Sequence, residues 1–376
     1  MSKLSSADHS VSPPRIDIPR DYNAAHDLLE SNLQAGRGEK IAYIDDNESC
    51  TYAQLAERVN RFAHALCGLG LQIEQRVLLC MLDTIDFPVA FLGAIKAGIV
   101  PVATNTLLTS ADFEYMLNDS RARALVVSAA LLPTFKPLVG KLPFLKHVIV
   151  SGGDASEFAS MQALIGRGQP RFDTAPTVAD DMCFWLYSSG STGAPKGTVH
   201  IHSSPIQTAE LFARPIVGLS ENDVVFSASK LPFAYGLGNS LSFPLAVGAT
   251  AVAHGRAADA CRYIRTAAQA PAYGILYHTN GIRRLVGESG TPEARRAAPA
   301  TLYVRRGTAA GRYREALECA LWRRHTRRNR FNRNASYLSV EPPGGRKVRN
   351  HREAGSRLRS ASRRRGRPTG AARRDG

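Results

Sequence analysis

The 376-residue sequence has no run of about 18 apolar residues, the length a membrane-spanning helix needs. Its opening residues, MSKLSSADHSVSPPRIDIPRDYN, contain no apolar core of signal-peptide type. Neither a membrane span nor a secretory leader is therefore expected, and the chain is expected in the cytoplasm. Cysteine is sparse: Cys50, Cys67, Cys80, Cys183, Cys261 and Cys319 lie far apart, with no CxxC pair. That spacing excludes a zinc ribbon or a disulfide framework and fits a reducing compartment. Acidic residues are scarce at one end only. Residues 301–376 hold 21 Arg and one Lys against five acids, a net +17 where the whole chain has +16, so residues 1–300 carry −1. The basicity belongs to the tail. Also missing is a Walker A loop, in which lysine follows glycine and precedes Ser or Thr.

A chain of this length can bury more than one core, so two or three domains or subdomains are expected. Residues 1–20 are polar and hold Pro13, Pro14 and Pro19, which predicts a loosely held arm. Thr51-Tyr52-Ala53-Gln54 offers a capping box, and Leu55, Val59, Phe62, Leu66 and Leu69 recur at steps of four and three. That pattern predicts an amphipathic helix ending near Gly70. Residues 76–82 read as a buried strand, 87–97 as a helix closed by Gly98, and 100–103 as a further short strand. Residues 124–127, 147–150 and 224–227 continue the series. Strands alternating with helices predict an α/β fold with a mostly parallel sheet covered on both faces.

The apolar run Cys183-Phe184-Trp185-Leu186-Tyr187 feeds SSGSTGAPKG, residues 188–197. Gly190, Gly193 and Gly197 permit φ > 0 and leave amides open to an anion. Ser188, Ser189, Ser191 and Thr192 add short donors, and Lys196 adds a point charge suited to a polyphosphate. A Gly/Ser surface linker shares this composition. Downstream, His200, His202 and Glu210 invite a metal reading, but no third convergent ligand can be named and no metal site is expected. After the 224–227 strand comes Phe233-Ala234-Tyr235-Gly236, which supplies flat apolar walls and room for a ring, or else a core turn.

The order of residues separates these readings. SSGSTGAPKG closely resembles the phosphate-loop signature of the adenylate-forming enzymes: acyl- and aryl-CoA synthetases, peptide-synthetase adenylation domains and luciferases. TYAQLAERVNRFAHAL and FLGAIKAGIVPVATNTLL resemble core motifs of the same superfamily. Residues 210–252, from ELFARPIVG to LAVGATAV, resemble benzoate-CoA ligases. The resemblance is continuous over about residues 20–252 and implies an adenylation domain, N-terminal part, over residues 21–252. It implies ATP phosphates held by Ser188, Ser189, Gly190, Ser191, Thr192, Gly193, Lys196 and Gly197 while a carboxylate attacks the α-phosphorus. It further implies ATP, Mg²⁺ and CoA as cosubstrates, a small aromatic acid such as benzoate or a hydroxybenzoate, and Ala234, Tyr235 and Gly236 against its ring.

Past about residue 253 the periodicities fade, and clusters such as RRHTRRNR and SRRRGR carry no apolar face. Residues 253–376 are therefore expected to be largely disordered. An Arg-rich nucleic-acid arm is one rival reading, and another acyl-CoA synthetase of the superfamily is a second. Back-translated with permitted synonymous codons and read one base later, residues 335–341 can spell LHIYLSN and residues 348–354 can spell YGTTGKP. Both strings resemble a benzoate-CoA ligase downstream of its ATP motif, so one or more frameshifts, first arising between about residues 253 and 300, are expected. The superfamily's Thr-Glu pair near ATP, its ribose aspartate and its C-terminal lysine are not found after Gly197. Catalytic residues therefore remain unassigned, and activity of the chain as written is expected to be severely reduced. This reading includes neither a membrane nor a nucleic acid among the partners, and it sets no oligomeric state.

Overall fold

A computed structural model describes residues 2–155, 157–188, 194–227 and 229–253, together with the backbone of residues 274–278 and 301–304. These fall within one compact unit, residues 1–325; a second, 326–376, lies outside the described residues, as does most of the Arg-rich segment.

In chain order the strands are β1 (Ser6–Asp8), β2 (Arg15–Asp17), β3 (Ile41–Ile44), β4 (Ser49–Thr51), β5 (Arg76–Cys80), β6 (Val100–Ala103), β7 (Ala124–Ser128), β8 (His147–Ser151), β9 (Ala159–Ser160), β10 (Met182–Ser188), β11 (Lys196–Ile201), β12 (Val224–Ser227), β13 (Thr250–Val252), β14 (Gly274–His278) and β15 (Thr301–Val304). The helices are α1 (Ala24–Gln34), α2 (Tyr52–Gly68), α3 (Asp86–Lys96), α4 (Ser110–Asp119), α5 (Leu132–Phe135), α6 (Met161–Arg167), α7 (Ser204–Thr208), α8 (Ala234–Leu237) and α9 (Phe243–Val247). Two π-helical segments, Ala209–Val217 and Gly238–Ser242, extend α7 and α8.

One sheet has seven strands in the order β11-β10-β6-β5-β7-β8-β9, and a second has six in the order β15-β14-β12-β13-β3-β4. Pairing is parallel except at β10–β11, β14–β15 and β3–β4. The expected mostly parallel α/β arrangement is thus present, as two sheets. Successive strand residues point to opposite faces, and both faces of the larger sheet are apolar. Val77 and Leu79 of β5 with Ala124 and Val126 of β7 join one core cluster. Leu78, Cys80, Leu125 and Val127 join the other. Burial on both sides is why these strands read as continuous apolar runs rather than alternating ones.

The helix expected from the capping box is α2. Thr51 Oγ1 accepts from the Gln54 amide at 3.2 Å, and Gln54 Oε1 accepts from the Thr51 amide at 2.9 Å. Leu55, Val59, Phe62 and Leu66 are fully buried. α3 crosses this face at Gly93, where a Cβ would stand 3.0 Å from Phe62 Cδ1. Residues 2–20, expected as a loosely held arm, carry the antiparallel β1–β2 hairpin. Ser5 ties them to the body by donating its hydroxyl to Asp27 at 2.6 Å, and His9 Nε2 meets Glu210 at 2.7 Å.

The exits of the parallel strands are laced together. Asp45, just past β3, accepts from the Ile85 amide at 2.9 Å, and Asp83, just past β5, accepts from the Leu231 amide beyond β12 at 3.2 Å. The carboxyl ends of strands from both sheets are joined here, the edge at which open α/β sheets bind ligands.

Candidate active site

The sequence 182–201 folds as a hairpin because two runs of β-compatible residues flank a Gly-rich turn. β10 and β11 pair antiparallel, with Ser188 opposite Lys196 and Tyr187 opposite Gly197. Residues directly opposite share a face, so the Ser188 hydroxyl and the Lys196 ammonium stand together at the stem of the turn, and both side chains are exposed. Ser189, Gly190, Ser191, Thr192 and Gly193 lie outside the described residues. Gly197 does not take the left-handed conformation that the sequence argument allowed it, since it is absent from the residues with positive φ. It is small for a different reason: a Cβ would approach Trp185 Cε3 to 3.1 Å.

α4 braces this hairpin. Tyr115 donates its hydroxyl to the Pro195 carbonyl at 3.1 Å, and Tyr187 donates to Asp119 at 2.6 Å. Burial, with the Asp119 carboxylate beside it, pushes the Tyr187 phenol well above its usual range, so it stays a donor. Neither Tyr115 nor Asp119 stood out in the sequence, because nothing in a lone tyrosine or aspartate on an amphipathic helix marks it as a brace.

The second stretch begins where β12 ends. Asp83 receives the Leu231 amide and stands 3.6 Å from the Lys230 ammonium, so the chain leaves β12 along a fixed path. Phe233 is 44% exposed, Ala234 is exposed and Tyr235 is half-buried, and α8 starts at Ala234. Gly236 is buried against the preceding loop, and a Cβ there would lie 2.0 Å from the Lys230 carbonyl oxygen. Only glycine lets the helix approach that backbone so closely. The π-helical turn that follows is anchored by Tyr43, whose hydroxyl donates to the Ser240 carbonyl at 2.7 Å. Within that turn Asn239 is 2% exposed, and its buried amide nitrogen has no acceptor among the described residues. An unsatisfied buried donor costs about 1–3 kcal/mol.

His200, His202 and Glu210 do not converge. His200 stacks on Phe184 with ring centroids 4.5 Å apart. His202 is buried and its Nδ1 accepts from the Ala24 amide at 3.1 Å; burial pushes the imidazole down to about 4. Glu210 pairs with His9 and with Arg214, at 2.7 and 2.9 Å. Among the described residues no three His, Cys, Asp or Glu side chains form a metal cage. A cavity of about 660 Å³ lined by His9, Arg37, Arg214 and Glu221, among others, shares no residue with either stretch. Its arginines are already committed, Arg37 to Glu221 at 3.0 Å and Arg214 to Glu210 at 2.9 Å.

Comparison with known proteins places these elements in context. Residues 30–279 match the family described as AMP-binding enzyme, a match that runs past residue 252 and through β14. The benzoate–CoA ligase of Thauera aromatica is 64% identical over 253 residues, covering 67% of this chain and 48% of that protein. The 4-hydroxybenzoate–CoA/benzoate–CoA ligase of Rhodopseudomonas palustris is 46% identical, covering 62% and 43% respectively. Among solved structures, an anthranilate CoA ligase in complex with anthranoyl-AMP is 36% identical with a TM-score of 0.64, covering 66% of this chain and 48% of that one. The chain spans about half the length of the curated relatives it matches.

Proposed function

The chain belongs to the AMP-binding enzyme family, and from that premise we propose that it is the N-terminal part of an aryl-CoA ligase. The reaction is benzoate or a hydroxybenzoate plus ATP and CoA giving the aroyl-CoA, AMP and diphosphate through an aroyl-AMP. The observation that carries this reading is positional. The 188–197 hairpin and the 233–236 stretch both leave carboxyl ends of parallel strands, β10 and β12, and Asp83 fastens the β12 exit to the β5 exit in the neighbouring sheet.

In this reading Lys196 and Ser188 address the phosphates with a charge and a hydroxyl, and Ser189, Gly190, Ser191, Thr192 and Gly193 complete the loop. Mg²⁺ arriving with the nucleotide would share the phosphate charge. Ala234 beside Tyr235 would leave a slot about one ring thick for the acid, and the hold of Asp83 on Leu231 just before this stretch would keep that slot in a fixed position, an orientation effect on rate. A cytoplasmic location forms part of the proposal. Cys50, Cys67, Cys80 and Cys183 are all free thiols, as in a reducing compartment.

The reading also includes the frame change first arising between about residues 253 and 300. Support comes from the relatives, which match only about two thirds of this chain. The test has two arms. Nucleotide sequencing across the codons for residues 250–300 should reveal an insertion or deletion. The frame-restored enzyme should then release pyrophosphate from ATP in response to benzoate or a hydroxybenzoate, and far less to a fatty acid. Release driven best by a fatty acid would move the chain to another branch of the family.

A further inference from the structure

α4 carries two polar side chains that its own stability does not explain. Tyr115 and Asp119 are four residues apart and exposed, so they share one face of the helix. Phe113, Met116 and Leu117 are buried, and Ser110 donates its hydroxyl to the Thr134 carbonyl at 2.7 Å, so the helix itself is firmly seated. Asp119 is the last residue of α4, the end at which unpaired carbonyls disfavour a carboxylate. A charge placed against a local rule points to a use elsewhere in the fold.

Both side chains reach the β10–β11 hairpin, one at each side of its stem. Asp119 accepts the Tyr187 hydroxyl at 2.6 Å, and Tyr115 donates to the Pro195 carbonyl at 3.1 Å. Tyr187 and Pro195 are the residues immediately before Ser188 and Lys196, which stand opposite each other in the ladder. The peptide unit is planar, so holding the Pro195 carbonyl also sets the Lys196 amide and the direction in which Lys196 leaves the backbone. β11 needs that support. It is the end strand of the seven-stranded sheet and pairs only with β10 among the described residues. Its Lys196 end adjoins the Gly-rich turn, where a ladder with one partner frays first.

We infer that Tyr115 is a positioning residue for Lys196, and Asp119 one for the Ser188 side of the stem, so that α4 aims the lysine at the nucleotide's phosphates before the nucleotide arrives. This rests on the reading of residues 188–197 as the phosphate loop and adds the support that orients it. A group already held in its bound position loses less freedom on binding. The brace therefore acts on ATP, through Lys196, and leaves the aromatic acid untouched.

The test is a double-mutant cycle on the 376-residue chain, titrated calorimetrically with ATP and Mg²⁺ and separately with benzoate. Tyr115→Phe removes one hydroxyl and should weaken ATP about 3- to 10-fold, the range one hydrogen bond supplies, with benzoate affinity and Tm level. In a Lys196→Ala background the same change should cost less than about 2-fold, because the group it positions is gone. Asp119→Leu should also weaken ATP, and Asp119→Asn, which keeps an oxygen for the Tyr187 hydroxyl, should recover most of that loss. Unchanged ATP affinity in Tyr115→Phe would overturn the inference. So would an equal cost of Tyr115→Phe with and without Lys196, or a fall in Tm and benzoate affinity alongside ATP, either of which would make the contact purely structural. No ATP binding by the parent would remove the phosphate-loop reading itself, and this inference with it.

Discussion

Ala234 occupies an exposed position at the start of α8, so a larger side chain there has room with respect to the protein and none with respect to a ring laid against it. In the frame-restored enzyme Ala234→Phe should raise the benzoate KM about 10-fold or more, within the ~1–3 kcal/mol an apolar pocket can discriminate. ATP affinity and Tm should stay near the parent values. A variant that takes benzoate as well as the parent does would place the pocket elsewhere. His202 gives a second test at this scale. Burial holds its folded value at about 4 against an ordinary 6.5, so between those pH values the unfolded chain binds a proton that the folded chain refuses. Stability should therefore fall as pH drops from 6.5 to 4, by up to about 3 kcal/mol from this group. Thermal unfolding at several pH values should show that loss blunted in His202→Gln, and a parallel pH profile in the variant would remove the assignment. Lys196 stood out in the sequence as a lone lysine among glycines and hydroxyls, and the structure sets it opposite Ser188 at the stem of the hairpin; its phosphate role is part of the proposal. Tyr115 and Asp119 did not stand out, because a tyrosine or aspartate on an amphipathic helix carries no signal until the structure shows it bonded to the hairpin.

At the scale of the element, the Lys230–Ser242 stretch depends on one close approach. Gly236→Ala would force a Cβ to within 2.0 Å of the Lys230 carbonyl oxygen, and the backbone must shift to relieve it. Overpacking of this kind costs about 1–3 kcal/mol, so Tm should fall and acid binding should weaken with it. An unchanged Tm would mean that α8 is not held where it is described. α2 makes the opposite case, since its capping box and its apolar steps of four and three were readable before any coordinates and reappear in place. The π-helical widening after α8 was unreadable. No residue type demands it. Gly197 shows the same limit, since the sequence offered a left-handed turn where the structure has Trp185 lying over a strand.

For the whole molecule, the apolar strands, the parallel pairing and the cover on both faces follow from composition and alternation. The pairing of β10 with β11 and the joining of two sheets through Asp45 and Asp83 are tertiary facts that local pattern does not encode. The central claim is that the 188–197 hairpin holds a nucleotide's phosphates beside an aromatic-acid wall. Its most direct test is a calorimetric titration of the 376-residue chain and its Lys196→Ala variant with ATP and Mg²⁺. The account predicts saturable binding by the parent, weakened at least about 10-fold in the variant, or ~1.4 kcal/mol, with the affinity for the aromatic acid unchanged. Equal ATP affinity in the two proteins, or no binding by the parent, would contradict it.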